Sequence, residues 1–113
     1  MDASAGLRVD SGSMGEMSKS HLENMFAAML RVKRIPFRRE FRAIRERQFR
    51  WDFRILGQKV LVEIQGGIWK RGAHSSGTGL MRDYEKNNLA AHRGWRVYYA
   101  CNTEQMQWIV GHL

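Results

Sequence analysis

Cysteine and proline are almost absent from this chain: there is one of each, Cys101 and Pro36, in 113 residues. A lone cysteine excludes an intramolecular disulfide and a cysteine-built zinc knot, and it fits a reducing cytoplasm. Apolar runs are short. None approaches the roughly 18 consecutive apolar residues a membrane-spanning helix needs, so no membrane span is expected. The N-terminus also lacks the apolar core of a signal peptide. No P-loop, dinucleotide-binding glycine fingerprint or nucleophile elbow occurs. Acidic residues are scarce: eleven Asp and Glu stand against nineteen Lys and Arg, a formal charge of +8 before the four His are counted. On so short a chain that excess points to a polyanionic partner, nucleic acid ahead of an anionic membrane surface. The length allows one small domain, since a second would need roughly 100 more residues.

Residues 1–17 are rich in Ser, Gly and Asp with scattered Met, and read as a flexible leader in which Met14 or Met17 is an alternative start. The domain is expected over residues 18–113. Leu22, Met25, Phe26, Met29 and Leu30 recur at helical steps. Ser20 and Glu23 fit a capping box at the start of that helix, and Pro36 stops it. From Phe37 to Ile55 the period falls to two. Phe49, Trp51, Phe53 and Ile55 alternate with Arg50, Asp52 and Arg54 as one amphipathic strand, preceded by a less regular one through Phe37 and Phe41. Gly57 and Gln58 make a turn, and Lys59 to Gln65 (KVLVEIQ) reads as a strand covered on both faces. A glycine-rich loop, a helix over Leu80 to His92 with Gly94 as its C-cap, a strand Trp95 to Ala100 and a final helix capped by Asn102 or Thr103 complete the order α, β, β, β, α, β, α. The expected fold class is α/β: a central mixed sheet of about four strands flanked by helices.

Between Arg31 and Arg54 lie ten basic and three acidic residues, a net of +7. Nine of the ten are Arg, whose planar fork matches phosphate oxygens two at a time. Arg38, Arg39, Arg42, Arg45, Arg47 and Arg50 form the candidate backbone-gripping band, and Lys70 and Arg71 in the glycine-rich loop extend it. A solvated basic face is the plain alternative. Phe37, Phe41, Phe49 and Trp51 follow strand periodicity and are expected in the core. Trp95 and the Tyr98–Tyr99 pair are expected in core and edge packing.

Asp52 and Glu63 each interrupt an otherwise apolar or aromatic strand, and the two strands form a hairpin. A buried carboxylate is normally paired, protonated or bound to a metal. One reading pairs Asp52 with Arg50 or Arg54, and Glu63 with Lys59 or Arg96. The other brings both carboxylates to one Mg²⁺, which takes oxygen ligands and keeps several waters. In that case Glu63 and Gln65 share a strand face and the Ile64 carbonyl is available as a third ligand.

RWDF, a short turn and VLVEIQGG resemble the catalytic hairpin of the PD-(D/E)XK nuclease superfamily. The stretch GGIWKRGAHSSGTGLMRDYEKNNLAAHRGWRV is similar to the branch near very-short-patch-repair endonucleases and small phage endonuclease-like proteins. The resemblance runs from about Ser18 to the end of the chain and implies a restriction-endonuclease-like core. It implies Asp52 and Glu63 as metal ligands with the Ile64 carbonyl, and Glu23 on the first helix as a further, often water-mediated, contact. Gln65 takes the place of the motif's lysine, and His74 falls where this branch places a histidine near the scissile phosphate. Trp51 stands where the motif has proline. Because Gln65 carries no charge, Lys86 on the following helix is the candidate substitute, with His74 sharing the task. The implied activity is Mg²⁺- or Mn²⁺-dependent hydrolysis of phosphodiester bonds in DNA, in a bacterial or phage-infected cytoplasm, by a monomer or a homodimer joined through the last helix. Two alternatives stay open: a catalytically inactive nucleic-acid-binding protein, and a subunit whose arginines meet an acidic protein face. Glu23 is also explained by capping alone.

Overall fold

The computed structural model describes residues 17–66 and 77–113. The elements run α1 (Lys19–Val32), β1 (Phe37–Phe41), β2 (Trp51–Ile55), β3 (Val60–Ile64), α2 (Gly77–His92), β4 (Arg96–Ala100) and α3 (Thr103–Gly111). The strands make one mixed sheet in the order β1-β2-β3-β4. β1, β2 and β3 are antiparallel in turn, and β4 lies parallel to β3. The α/β class and the expected element order are both present. No helix among the described residues is long and apolar enough to cross a membrane.

Helix α1 begins two residues earlier than the capping-box reading placed it. Ser18 is the N-cap and its Oγ accepts the His21 amide at 3.1 Å. Glu23 is therefore not part of the cap. Met17, assigned to the leader, packs against the core. The helix also ends before Pro36 acts. Arg34 adopts a left-handed φ of 58°, its amide bonds to the Arg31 carbonyl, and the Ile35 amide reaches Leu30. This is a Schellman closure with arginine in the place glycine usually fills. Helix α2 closes the same way with Gly94, as expected from the sequence: Gly94 bonds to Ala91 and Trp95 to Ala90.

The sheet has a core on each face. Leu22, Phe26 and Leu30 of α1 and Met106 and Ile109 of α3 cover Phe53, Ile55, Val60, Val62 and Ile64. On the other face Ala90 of α2 packs with Ile44, Phe49, Trp51 and Leu61. Phe49 and Trp51 were expected to share a face with Phe53 and Ile55, and they do not. The side-chain alternation breaks at Asp52, so that Trp51, Asp52 and Phe53 are all buried. The paired strand breaks in step. Phe37 packs on the α1 side and Phe41 on the α2 side, and between them Glu40 takes a left-handed φ of 52°. One residue out of the extended conformation resets which face the following side chains reach.

Candidate active site

Asp52 sits at that break, near the start of β2, and Glu63 lies on the neighbouring β3. Both are buried, 7% and 9% exposed. Asp52 Oδ2 accepts the Ile64 amide at 2.7 Å, which turns its carboxyl toward the end of β3. Glu63 is near enough on the neighbouring strand for the Asp52 charge to act on its carboxyl. Burial pushes the Glu63 carboxyl up to about 7, and the charge and hydrogen bond of Asp52 add to that, although Lys86 pulls the other way. Asp52 and Glu63 therefore sit on neighbouring strands, close enough for the charge of one to act on the other.

Among the described residues neither carboxylate pairs with the cations expected from the sequence, Arg50 or Arg54 for Asp52 and Lys59 or Arg96 for Glu63. Arg54 lies across Phe41 and Trp95, 5.1 Å from each ring centre. Lys59 donates to the Arg93 carbonyl at 2.6 Å, and Arg96 to the Tyr98 hydroxyl at 3.2 Å. The cations on the carboxylates come instead from the two flanking helices. Lys86 of α2 is ion-paired to Glu63, its ammonium 4.9 Å from the centre of the Trp51 ring. Lys19, the first residue of α1, stands 3.1 Å from Asp52. Burial pulls the Lys19 ammonium down, but the charge and hydrogen bond of Asp52, with Glu63 and Glu23 beyond, carry it above its ordinary value. Trp51 donates its indole N–H to Asn87 Oδ1 at 3.1 Å, fixing α2 at the turn that presents Lys86. Gly66 seats α1: a Cβ there would lie 2.6 Å from the Lys19 nitrogen and 2.8 Å from its Cα, so no side chain fits.

Glu63 opens into a cleft of about 400 Å³ lined also by Lys19, Gln65, Asp83, Tyr84, Lys86, Asn87 and Tyr99, among others, while Asp52 lies behind its lining. Gln65 is thus beside Glu63 as expected, its amide held by the Ala100 carbonyl at 2.8 Å. No family model matches the chain, and no curated protein or solved structure matches it either.

Glu23 lies close to Asp52 and shares Lys19 with it. It pairs with Arg39 at 3.0 Å and Lys19 at 3.7 Å. With Glu40 and Asp52 it forms a group whose carboxylate oxygens lie within 4.8 Å of one another. Of the expected arginine band, three members have structural partners. Arg39 holds Glu23, Arg42 donates to the Arg45 and Arg47 carbonyls at 3.3 and 2.8 Å, and Arg47 meets Glu85 at 2.8 Å. Arg38, Arg45 and Arg50 are exposed. His74, Lys70 and Arg71 lie outside the described residues. The sequence reading missed Lys19, Asp83 and the cleft position of Tyr99. Lys19 was detectable, because it precedes Glu23 by four residues and so shares its helix face.

The donor set suits a hard divalent cation. Asp52 and Glu63 offer carboxylate oxygens from adjacent strands, and neither histidine nor cysteine lines the cleft beside Glu63 among the described residues. Asp52, Glu63 and the Ile64 carbonyl are the groups that would hold it.

Proposed function

We propose that this chain is a nuclease that hydrolyses phosphodiester bonds in DNA with Mg²⁺ or Mn²⁺ held by Asp52, Glu63 and the Ile64 carbonyl. The observation that supports this reading is a pair of carboxyls buried on adjacent strands, Asp52 and Glu63, with the Lys86 ammonium on Glu63. A divalent cation at such a site lowers the pKa of water and offsets charge on the transition state. Asp52 and Glu63 are preorganised for the cation, Asp52 by the Ile64 amide and Glu63 by Lys86. Lys86 supplies the ammonium that Gln65 lacks, from a helix rather than from the strand. It is placed to donate to a phosphate oxygen or to orient the attacking water, while Gln65 offers a neutral hydrogen bond from the cleft wall. Arg38, Arg45 and Arg50 are available for phosphates either side of the cut. A single chain carries one such carboxylate pair, so cutting both strands of a duplex takes two copies or two encounters.

The test incubates the protein with supercoiled plasmid, branched and single-stranded DNA in Mg²⁺, Mn²⁺ or EDTA. Asp52→Asn is a better control than Asp52→Ala, because the amide oxygen still accepts the Ile64 N–H. Loss of a metal ligand worth several kcal/mol lowers the rate about 10³-fold or more. Cleavage in EDTA, or cleavage untouched by Asp52→Asn, contradicts the proposal. Binding with no cleavage of any DNA form in either metal identifies an inactive nucleic-acid-binding protein.

A further inference from the structure

The two edges of the sheet differ in chemistry. The β1 edge is cationic: exposed Arg38 lies on β1, and exposed Arg45 and Arg50 on the connection to β2. The carboxylates lie on β2 and β3, roughly 5 to 10 Å across the sheet at ordinary strand spacing. Beyond them, at β4 and α2, the surface becomes aromatic and apolar. Of the six large hydrophobic side chains that are exposed among the described residues, Leu80, Met81, Tyr84 and Tyr99 are on this side. Tyr99 is the register partner of Glu63 on the neighbouring strand, and both tyrosines line the cleft that holds Glu63. They are 59% and 46% exposed, so their rings are neither core nor fully solvated.

The cleft itself is not built for a second strand of phosphates. Among the described residues its cations are Lys19 and Lys86, and both already face carboxylates. Asp83 adds a further negative group to the wall. A carboxylate repels phosphate but accepts a hydrogen bond from the amino group of a base. A half-exposed aromatic ring offers a stacking platform that any base can use. A volume of about 400 Å³ falls within the range that encloses small organic ligands.

Resting on the nuclease reading above, we propose that the substrate is DNA with an unpaired nucleotide at the cut. Its phosphates cross from the β1 arginines to the carboxylates, and its base stacks on Tyr84 and Tyr99. Uninterrupted duplex places its bases in the stack and its second strand against the acidic wall, and is the poorer ligand.

Fluorescence anisotropy in EDTA, at one fixed salt concentration, separates this from the cleavage question. The probes are one labelled oligonucleotide as a single strand, the same strand in a perfect duplex, and the single strand with abasic sites. The single strand is expected to bind the full chain about tenfold more tightly than the duplex or the abasic strand. Tyr84→Ala and Tyr99→Ala are each expected to weaken binding of the single strand by about tenfold and to leave binding of the abasic strand unchanged. Tyr84→Phe should retain it. Both tyrosines are exposed enough for the variants to fold, which an unchanged melting temperature verifies. Equal or tighter binding of the duplex, or tyrosine variants that bind the single strand normally, overturns the proposal while leaving the nuclease reading in place. Absence of binding to every probe overturns both.

Discussion

Lys86 and Glu63 show how much one contact governs at the scale of the residue. Glu63 is held up to about 7 by burial first and by Asp52 second, against the pull of Lys86. A carboxyl whose folded pKa exceeds its unfolded value of 4.5 binds protons more tightly when folded. Its stability contribution is present below about pH 4.5 and is lost as pH rises through about 7. The melting temperature of the metal-free protein, measured relative to Glu63→Gln, should therefore fall between pH 5 and pH 8 and then level off. A rise over that window contradicts the assignment. Lys86→Ala removes the influence that lowers Glu63, so the acidic limb of the pH–rate profile moves to higher pH, and turnover drops about 10²-fold, as for loss of a positioned proton donor. The placement of Asp52 and Glu63 on adjacent strands of a hairpin was legible in the sequence. Their counter-ions were not. Arg54, two residues from Asp52, looked like a natural partner, but it is drawn onto the Phe41 and Trp95 rings. Lys19 reaches the site only because α1 packs across the end of β3.

Helix and strand ends set the site at the scale of the element. Gly66 has backbone of α1 against the position a Cβ would occupy. Gly66→Ala should displace the start of α1, cost about 1–3 kcal/mol as overpacking does, and draw Lys19 away from Asp52. Thermal melting reads the first effect and reduced cleavage the second. Arg34 offers the opposite case. Its left-handed φ of 58° carries a cost that glycine avoids. Arg34→Gly should leave stability unchanged or raise it by up to about 1 kcal/mol, and a clear loss would show that the Arg34 side chain contributes more than its backbone costs. Element order, the four strands and the Gly94 cap were readable from periodicity and turn chemistry. The face switch at Asp52 was not, because Phe49 to Ile55 alternates without interruption in the sequence. The break lies opposite Glu40 of β1, which leaves the extended conformation at the same level of the sheet. The same break buries Asp52 between two hydrophobic neighbours and brings it to Glu63.

Charge distribution matters at the scale of the whole molecule. Of the chain's formal +8, the stretch from Arg31 to Arg54 alone carries a net +7, but part of it is internally engaged. Arg38→Ala, Arg45→Ala and Arg50→Ala should each reduce the slope of log K against log salt for single-stranded DNA by about 0.7. Arg42→Ala should lower the melting temperature instead, because it frees the Arg45 and Arg47 carbonyls. A composition count treats these arginines alike, and only the folded arrangement separates those that hold the loop from those that face solvent.

The account stands on Asp52 and Glu63 jointly binding a hard cation, and titration of Mn²⁺ into the metal-free protein, followed by electron paramagnetic resonance or calorimetry, measures that directly. The predicted result is saturable binding at one site, tightening as pH rises toward about 7 as Glu63 loses its proton, and abolished by either Asp52→Asn or Glu63→Gln. Binding that is unchanged in both variants, or no saturable binding to a folded wild-type protein, would contradict it.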